Sequence, residues 1–313
     1  VKKRFIFIGV LIITLMGFVL INLIDGKPKA ILILKELNSS YWELIEAGAE
    51  SGFHDFGIDG KVIAPASGTL EGQIDLLQEV LEEKPDILII SPIAPDHIIP
   101  HLEVFVKQGI PVILLDTDDP WENKITYVGT DNITLGKMAG ALLASQLQPG
   151  NEVAIIGIDN LSPVASKRIN GAKTSLELAA INVVAETIDV SYKLWQVQNA
   201  VVKLINENPE IKGIIATNDG LALAAYEVIK ELGINIPIIG ADGINEMIEL
   251  IEDGFLTGTV AQNPFDMGYL SVETASRLAM GESVERNIDS GVDIIVKGNA
   301  EQRLNFQNRL LRQ

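Results

Sequence analysis

The side chains able to do chemistry in this chain recur at one kind of place, directly after short apolar runs. Lys35 and Ser39 follow Ala30–Leu34, and Asp116 follows Val112–Leu115. Asn218 and Asp219 follow Gly213–Ala216, Asp242 follows Pro237–Gly240, and Gln262 with Asn263 follows Leu256–Val260. Arg168 lies early in the helix-like segment after Glu152–Ile156, and Tyr192 comes after the run that ends at Thr187. Two adjacent aromatics, Tyr41 and Trp42, open the first helix-like segment. Carboxylates and amides can each bridge two hydroxyls, and flat rings pack against the C–H faces of another ring. The inventory therefore suits a small ligand covered in hydroxyls. Asp and Asn after strands also cap helices and form turns; Asp219 and Asn245 are assigned that role. The other residues are assigned to a site because they occur together.

Other chemistries lack their residues. The chain has no cysteine, which excludes disulfides, thiol nucleophiles and zinc–thiolate sites. His97 and His101 stand four apart, but no Glu follows His97 as in a His-Glu-x-x-His zinc motif, and no metal site is expected. There is no G-x-S-x-G, no P-loop and no G-x-G-x-x-G after the first strand, so the chain reads as a non-enzyme without a cofactor. The acid pairs Asp118-Asp119 and Glu82-Glu83 read as solvated charges. With 42 acids against 24 bases and a net charge of −18, the chain lacks the basic face that nucleic acid requires.

The elements that must position these residues alternate strictly. Strand-like runs at Ala30–Leu34, Lys61–Ala64, Ile87–Ile90, Val112–Leu115 and Ile125–Val128 are separated by amphipathic helical stretches. The pattern restarts with strands at Glu152–Ile156, Asn182–Thr187, Gly213–Ala216, Pro237–Gly240, Leu256–Val260 and Val292–Val296. Near-continuous apolar strands alternating with helices predict an α/β fold with parallel sheets covered on both faces. So many strands exceed one comfortable open sheet, and two sheets of about six fit better. Ligands sit beyond the carboxyl ends of such strands. Two lobes with facing strand ends would therefore enclose a cleft, and closing it is a hinge motion.

Ahead of this body, Lys2, Lys3 and Arg4 precede an uncharged run from Phe5 to Ile24, long enough to span a bilayer as a helix. No Ala-x-Ala site follows it. The run is read as an uncleaved signal anchor, with a cleaved signal peptide as the alternative. The flanking charges place everything after Asp25 outside the cytoplasm. The protein is thus expected on the extracytoplasmic face of the membrane, or in the periplasm if the run is removed.

Seven segments in register give the body a family likeness: LKELNSSYW at 34–42, IPVILLDTD at 110–118, YVGTDN at 127–132, KRINGAK at 167–173, IIATNDGLALAA at 214–225, IGADG at 239–243 and GTVAQNPFDMG at 258–268. The chain resembles the periplasmic sugar-binding proteins of ABC importers, in their ribose/allose-binding branch, over nearly all of residues 29–297. The resemblance implies the type I periplasmic-binding-protein fold. In that fold two Rossmann-like lobes with parallel sheets, joined by three crossovers, close on one monosaccharide; here one N-terminal membrane helix would precede them. It assigns 29–130 plus 263–290 to the N-terminal lobe and 131–262 plus 291–299 to the C-terminal lobe. Residues 1–28 are then anchor and linker, and 300–313 a polar tail. By the same resemblance Tyr41 and Trp42 match the aromatics that sandwich the sugar, and Tyr192 an aromatic of the other lobe. Asp116, Arg168, Asn218, Asp242 and Gln262 match polar ligand contacts, and Lys35 looks like the lysine of allose binders.

The chain departs from that pattern at Ser39, where Asn is usual, at Ser40 in place of Pro, at Thr117 in place of Arg, and at Tyr192 in place of Phe or Trp. These departures leave the sugar open between a hexose such as allose and a related pentose. The implied partner is an ABC permease. A membrane-anchored sensor signalling to a histidine kinase or chemoreceptor is the alternative, and a monomer is expected.

Overall fold

The computed structural model describes residues 26–157, 163–187 and 194–311. The apolar run 5–24 and Tyr192 lie outside the described residues, among which no helix is long and apolar enough to cross a membrane. The described chain alternates as expected through β1 (Lys29–Ile33), α1 (Ser40–Phe56), β2 (Asp59–Ile63), α2 (Leu70–Glu83), β3 (Ile87–Ile90), α3 (Pro95–Lys107), β4 (Val112–Leu115) and β5 (Thr126–Gly129). It continues through α4 (Asn132–Ala144), β6 (Glu152–Ile156), α5 (Pro163–Leu178), β7 (Asn182–Thr187), α6 (Leu194–Glu207), β8 (Ile214–Ala216) and α7 (Asp219–Glu231). Then come β9 (Ile238–Asp242), α8 (Asn245–Glu252), β10 (Gly258–Gln262), α9 (Pro264–Ala279), β11 (Asn287–Asp289), β12 (Val292–Ile295) and α10 (Ala300–Leu310).

The strands form two sheets of six, in the order β11-β5-β4-β3-β1-β2 and β12-β10-β9-β8-β6-β7. β1 shows why its sequence makes a central strand. Ala30, Leu32 and Leu34 pack on one face with residues of α1 and α9, and Ile31 and Ile33 pack on the other with residues of α2 and α3. All five are at most 1% exposed, which an unbroken apolar run permits and an alternating one would not. The second sheet repeats the arrangement, with α4 and α5 on one face and α6, α7 and α8 on the other.

The chain passes between sheets at three places: from β5 to α4, from β10 to α9, and from β11 to β12. The last passage adds one antiparallel strand to sheets that are otherwise parallel, as expected. β12 runs antiparallel to β10, because only Ser290 and Gly291 separate it from β11. A chain that leaves one sheet at its carboxyl end and continues straight into a facing sheet must run against that sheet's other strands. The segment 300–313, read as a polar tail, holds α10, which packs on α8 and reaches α1.

Candidate functional site

The first sheet presents one carboxylate and the second sheet another. Asp116 sits at the carboxyl end of β4 with φ 62°, in the left-handed region. Its backbone is held there on both sides: its N–H donates to the Val128 carbonyl at 2.9 Å, and the Tyr127 hydroxyl donates to its own carbonyl at 3.0 Å. The carboxylate then accepts from Tyr41 Oη (2.7 Å), Lys35 Nζ (3.1 Å), Ser91 Oγ (3.2 Å) and Thr117 Oγ1 (3.0 Å). Lys35 also donates to Thr117 Oγ1 at 2.6 Å. Burial pushes the Asp116 carboxyl up, but the Lys35 ammonium and the hydrogen bonds from Tyr41, Lys35 and Thr117 outweigh it and bring it below the usual carboxylate range. Burial, and then the charges of Asp116 and Asp242, push the Tyr41 hydroxyl well up, so it stays a donor.

In the second sheet Asp242 ends β9 at φ 115°. Its Oδ1 accepts from Arg168 Nη1 at 2.8 Å and from Gln262 Nε2 at 2.7 Å. Arg168 projects from α5, which lies close on α4 because Gly136 has no side chain: a Cβ there would overlap the Arg168 carbonyl. The guanidinium is 6% exposed and also donates to Asn132 Oδ1 at 2.8 Å and to the Thr217 carbonyl at 2.7 Å. Burial lowers its pKa, but the charge and hydrogen bond of Asp242 raise it by more, so Arg168 stays charged.

The two clusters face each other. The charges of Asp116 and Asp242 act on Tyr41 together, and the charge of Asp116 helps to raise Asp242 after burial has done so. At the rim, Lys167 of α5 lies 3.9 Å from Asp118, which follows β4. The arrangement sets a carboxyl acceptor beside a cationic donor on each wall, Asp116 with Lys35 and Asp242 with Arg168.

Of the residues singled out in the sequence, Lys35, Tyr41 and Asp116 come together in one cluster and Arg168, Asp242 and Gln262 in the other. The two aromatics do not lie flat side by side. Tyr41 and Trp42 meet edge to face, with centroids 5.1 Å apart and planes at 87°. Trp42 is 8% exposed and belongs to the apolar core beside β1, with Lys35 Nζ 5.5 Å from its ring centroid. Tyr41 reaches the site through its hydroxyl. Ser39 is the N-cap of α1, without a side-chain capping bond. Asn218 is the N-cap of α7, its Oδ1 accepting from Leu221 N at 2.8 Å. The cap role assigned to Asp219 therefore belongs to its neighbour. Nor does Asn245 cap α8: that position is held by Ile244. Sequence reasoning missed Ser91 and Asn132, and noted Thr117 only as a departure from the family pattern. Ser91 directly follows the Ile87–Ile90 run, so the strand-end rule that located Asp116 also points to it.

The model of the family described as "Periplasmic binding protein domain" matches residues 30–283. The D-ribose/D-allose-binding protein of Pseudomonas aeruginosa is 26% identical over 286 residues, covering 87% of this chain and 88% of its own length. The ribose import binding protein of Haemophilus influenzae is 24% identical over 283 residues, covering 90% and 96%. The crystal structure of an ABC transporter periplasmic solute binding protein from Actinobacillus succinogenes with bound D-allose superposes with a TM-score of 0.80 at 25% identity, covering 88% of this chain and 100% of that one. With a family model spanning most of its length and a fold shared with a solute-binding protein from end to end, the chain belongs to the periplasmic binding protein domain family and stands beside its ribose- and allose-binding members.

Proposed function

We propose that this chain is an extracytoplasmic monosaccharide-binding protein that closes two lobes over one sugar and delivers it to an ABC permease. The observation that carries the reading is the pair of carboxylates, Asp116 and Asp242. Each lies on its own sheet, each in a backbone conformation that L-residues avoid, and each accepts from several donors. Carboxylates fixed in this way accept hydrogen bonds from ligand hydroxyls without first having to reorganise. Asp116, held in its charged form, suits hydroxyl binding better than proton transfer, which supports a non-catalytic role. Sugar stabilises the closed state because only there do both walls contact it.

The ligand is a hexose such as allose, or a related pentose. The relatives' names and the Lys35 ammonium beside Asp116 support that range, and the run 5–24 supports tethering to the membrane. Titration calorimetry of the protein against a panel of aldoses tests the reading. One aldose is expected to bind in the micromolar range or tighter, with a smaller radius of gyration in solution scattering. Absence of binding to every aldopentose and aldohexose in the panel would falsify it.

A further inference from the structure

The sequence places two cap-forming residues, Asn218 and Asp219, at the end of β8, and only Asn218 caps. Asp219, 1% exposed, turns its carboxyl into the protein, where an ionisable group is costly unless it is bonded. Its Oδ2 accepts from the backbone N–H of Gly243 at 2.6 Å and of Ile244 at 2.9 Å, and its Oδ1 lies 2.7 Å from Thr259 Oγ1. One side chain at the start of α7 thus ties the turn after β9 to β10. Glycine makes the room for it: a Cβ at Gly240 would overlap the Asp219 carboxyl, and one at Gly243 would overlap Ala261.

The turn it holds is the one that carries Asp242. A φ of 115° at Asp242 lies in a region that L-residues occupy only when their surroundings over-determine it. Arg168 and Gln262 fix the Asp242 carboxylate, but they do not fix the peptides that follow. Those are held by Asp219 through two amides, and by Gln307 Nε2, which donates to the Gly243 carbonyl at 3.1 Å.

We propose that Asp219 is a positioning residue of the sugar site, holding the Asp242–Ile244 turn in the shape that presents Asp242 to the cleft. The inference rests on the sugar-binding reading for its effect on affinity, but not for its effect on the turn. Burial, and then the Asp242 charge, push the Asp219 carboxyl up to about 8. The Thr259 hydroxyl donates to Oδ1 and the two amides donate to Oδ2. Asn keeps an oxygen for the two amides and turns its NH2 toward Thr259 Oγ1, which can also accept, whereas Ala removes all three contacts.

The test uses the full chain, solubilised in mild detergent, with D-allose and D-ribose as probes. Hydrogen exchange of the sugar-free protein is followed in peptides covering 243–246. Asp219→Ala is expected to speed exchange there at least tenfold, with the rest of the second sheet unchanged, and Asp219→Asn to restore most of the protection. Affinity for the sugar that binds is expected to fall at least tenfold in Asp219→Ala. In an Asp242→Ala background the same change is expected to cost less than twofold, since the side chain being positioned is gone. Unchanged exchange at 243–246, exchange that rises evenly across the lobe, or an affinity loss that is the same with and without the Asp242 side chain would overturn the proposal. If neither sugar binds the unaltered protein, the affinity measurement moves to whichever aldose of the panel binds; if none does, the sugar-binding reading fails, and the exchange measurement still decides the role of Asp219. Should Asp219→Ala not fold, Thr259→Val takes its place, with about threefold faster exchange at 243–246 expected and no change overturning the proposal.

Discussion

Arg168 holds Asp242 at 2.8 Å with a guanidinium that two further acceptors, Asn132 Oδ1 and the Thr217 carbonyl, also claim. The fork suits this role because it presents several donors in fixed directions, whereas an ammonium is a point donor. Arg168→Lys keeps the charge but cannot reach all three acceptors, and it leaves buried oxygens unpaired. Sugar affinity is expected to fall by about ten- to a hundredfold, on the order of 1–3 kcal/mol. Calorimetry at neutral pH reads this, and a Lys variant that binds as tightly as the unaltered protein would show that the fork is dispensable.

Asp116 separates charge from conformation. Asn tolerates the left-handed region better than other non-glycine residues, so Asp116→Asn keeps the φ of 62° and loses the negative charge that Lys35 pairs with at 3.1 Å. Asp116→Ala loses the acceptor as well. The expected order of affinity is unaltered protein above Asn above Ala, with Ala costing about 1–3 kcal/mol. Unchanged affinity in both Asp116→Ala and Asp242→Ala would remove these residues from the site.

Stability should depend on pH in a direction set by Asp219. Its folded pKa of about 8 lies above the unfolded carboxylate value of about 3.9. Between these values the native state holds a proton that the unfolded state has lost. Stability therefore falls as pH rises through that window. Asp242, also raised by burial, adds to the trend, and its partner Arg168 opposes it. Asp116, lowered on balance, acts in the opposite sense at acid pH, where its contribution is lost. The melting temperature is expected to drop by several degrees from pH 5.5 to 8.5, and the drop should shrink in Asp219→Asn. An equal drop in both proteins would assign the dependence to other groups.

The strands and the strand-end carboxylates were legible because both are written locally, as an apolar run followed by a polar residue. β11 was not. It has three residues, Asn287–Asp289, and among the described residues it pairs with β5 alone, at the edge of its sheet, where no apolar run marks it. α10 lacks an apolar stripe: Ala300 and Gln307 are its buried residues, and polar side chains help to dock it. The exchange of roles between Asn218 and Asp219 was not legible either, because both types cap helices. What decides it lies far along the chain, in the space left by Gly240 and in the donors of Gly243, Ile244 and Thr259. The edge-to-face meeting of Tyr41 and Trp42 depends in the same way on the core that Trp42 joins.

α10 also makes a prediction about motion. Arg303 Nη2 donates to the Gln262 carbonyl at 2.6 Å and to Asn263 Oδ1 at 3.0 Å, and its Nη1 to Asp293 Oδ2 at 3.1 Å. Gln262 and Asn263 lie on the second passage between sheets, and Asp293 just beyond the third. Asn263 Nδ2 joins the same two passages through the Ser290 carbonyl at 3.2 Å. Among the described residues, the buried polar atoms without a partner include Thr130 Oγ1 and Ser290 Oγ on the passages, and Arg303 Nε and Gln307 Oε1 on the helix that covers them. Unsatisfied groups gathered at a hinge are those that a different lobe angle can satisfy. Arg303→Ala removes the clasp and leaves the side chains of both carboxylate clusters in place, its one contact with them among the described residues being the Gln262 carbonyl. The sugar-free protein is then expected to open wider in solution scattering, and unfolding stability to fall by about 1–3 kcal/mol. Sugar affinity should fall less than in the Asp116 and Asp242 variants, because closing from a wider state costs more while the contacts in the closed state are kept. Arg303→Lys, which can keep one of the three bonds, should lie between. A scattering profile identical to that of the unaltered protein would show that α10 rides on the second lobe and leaves the hinge unconstrained.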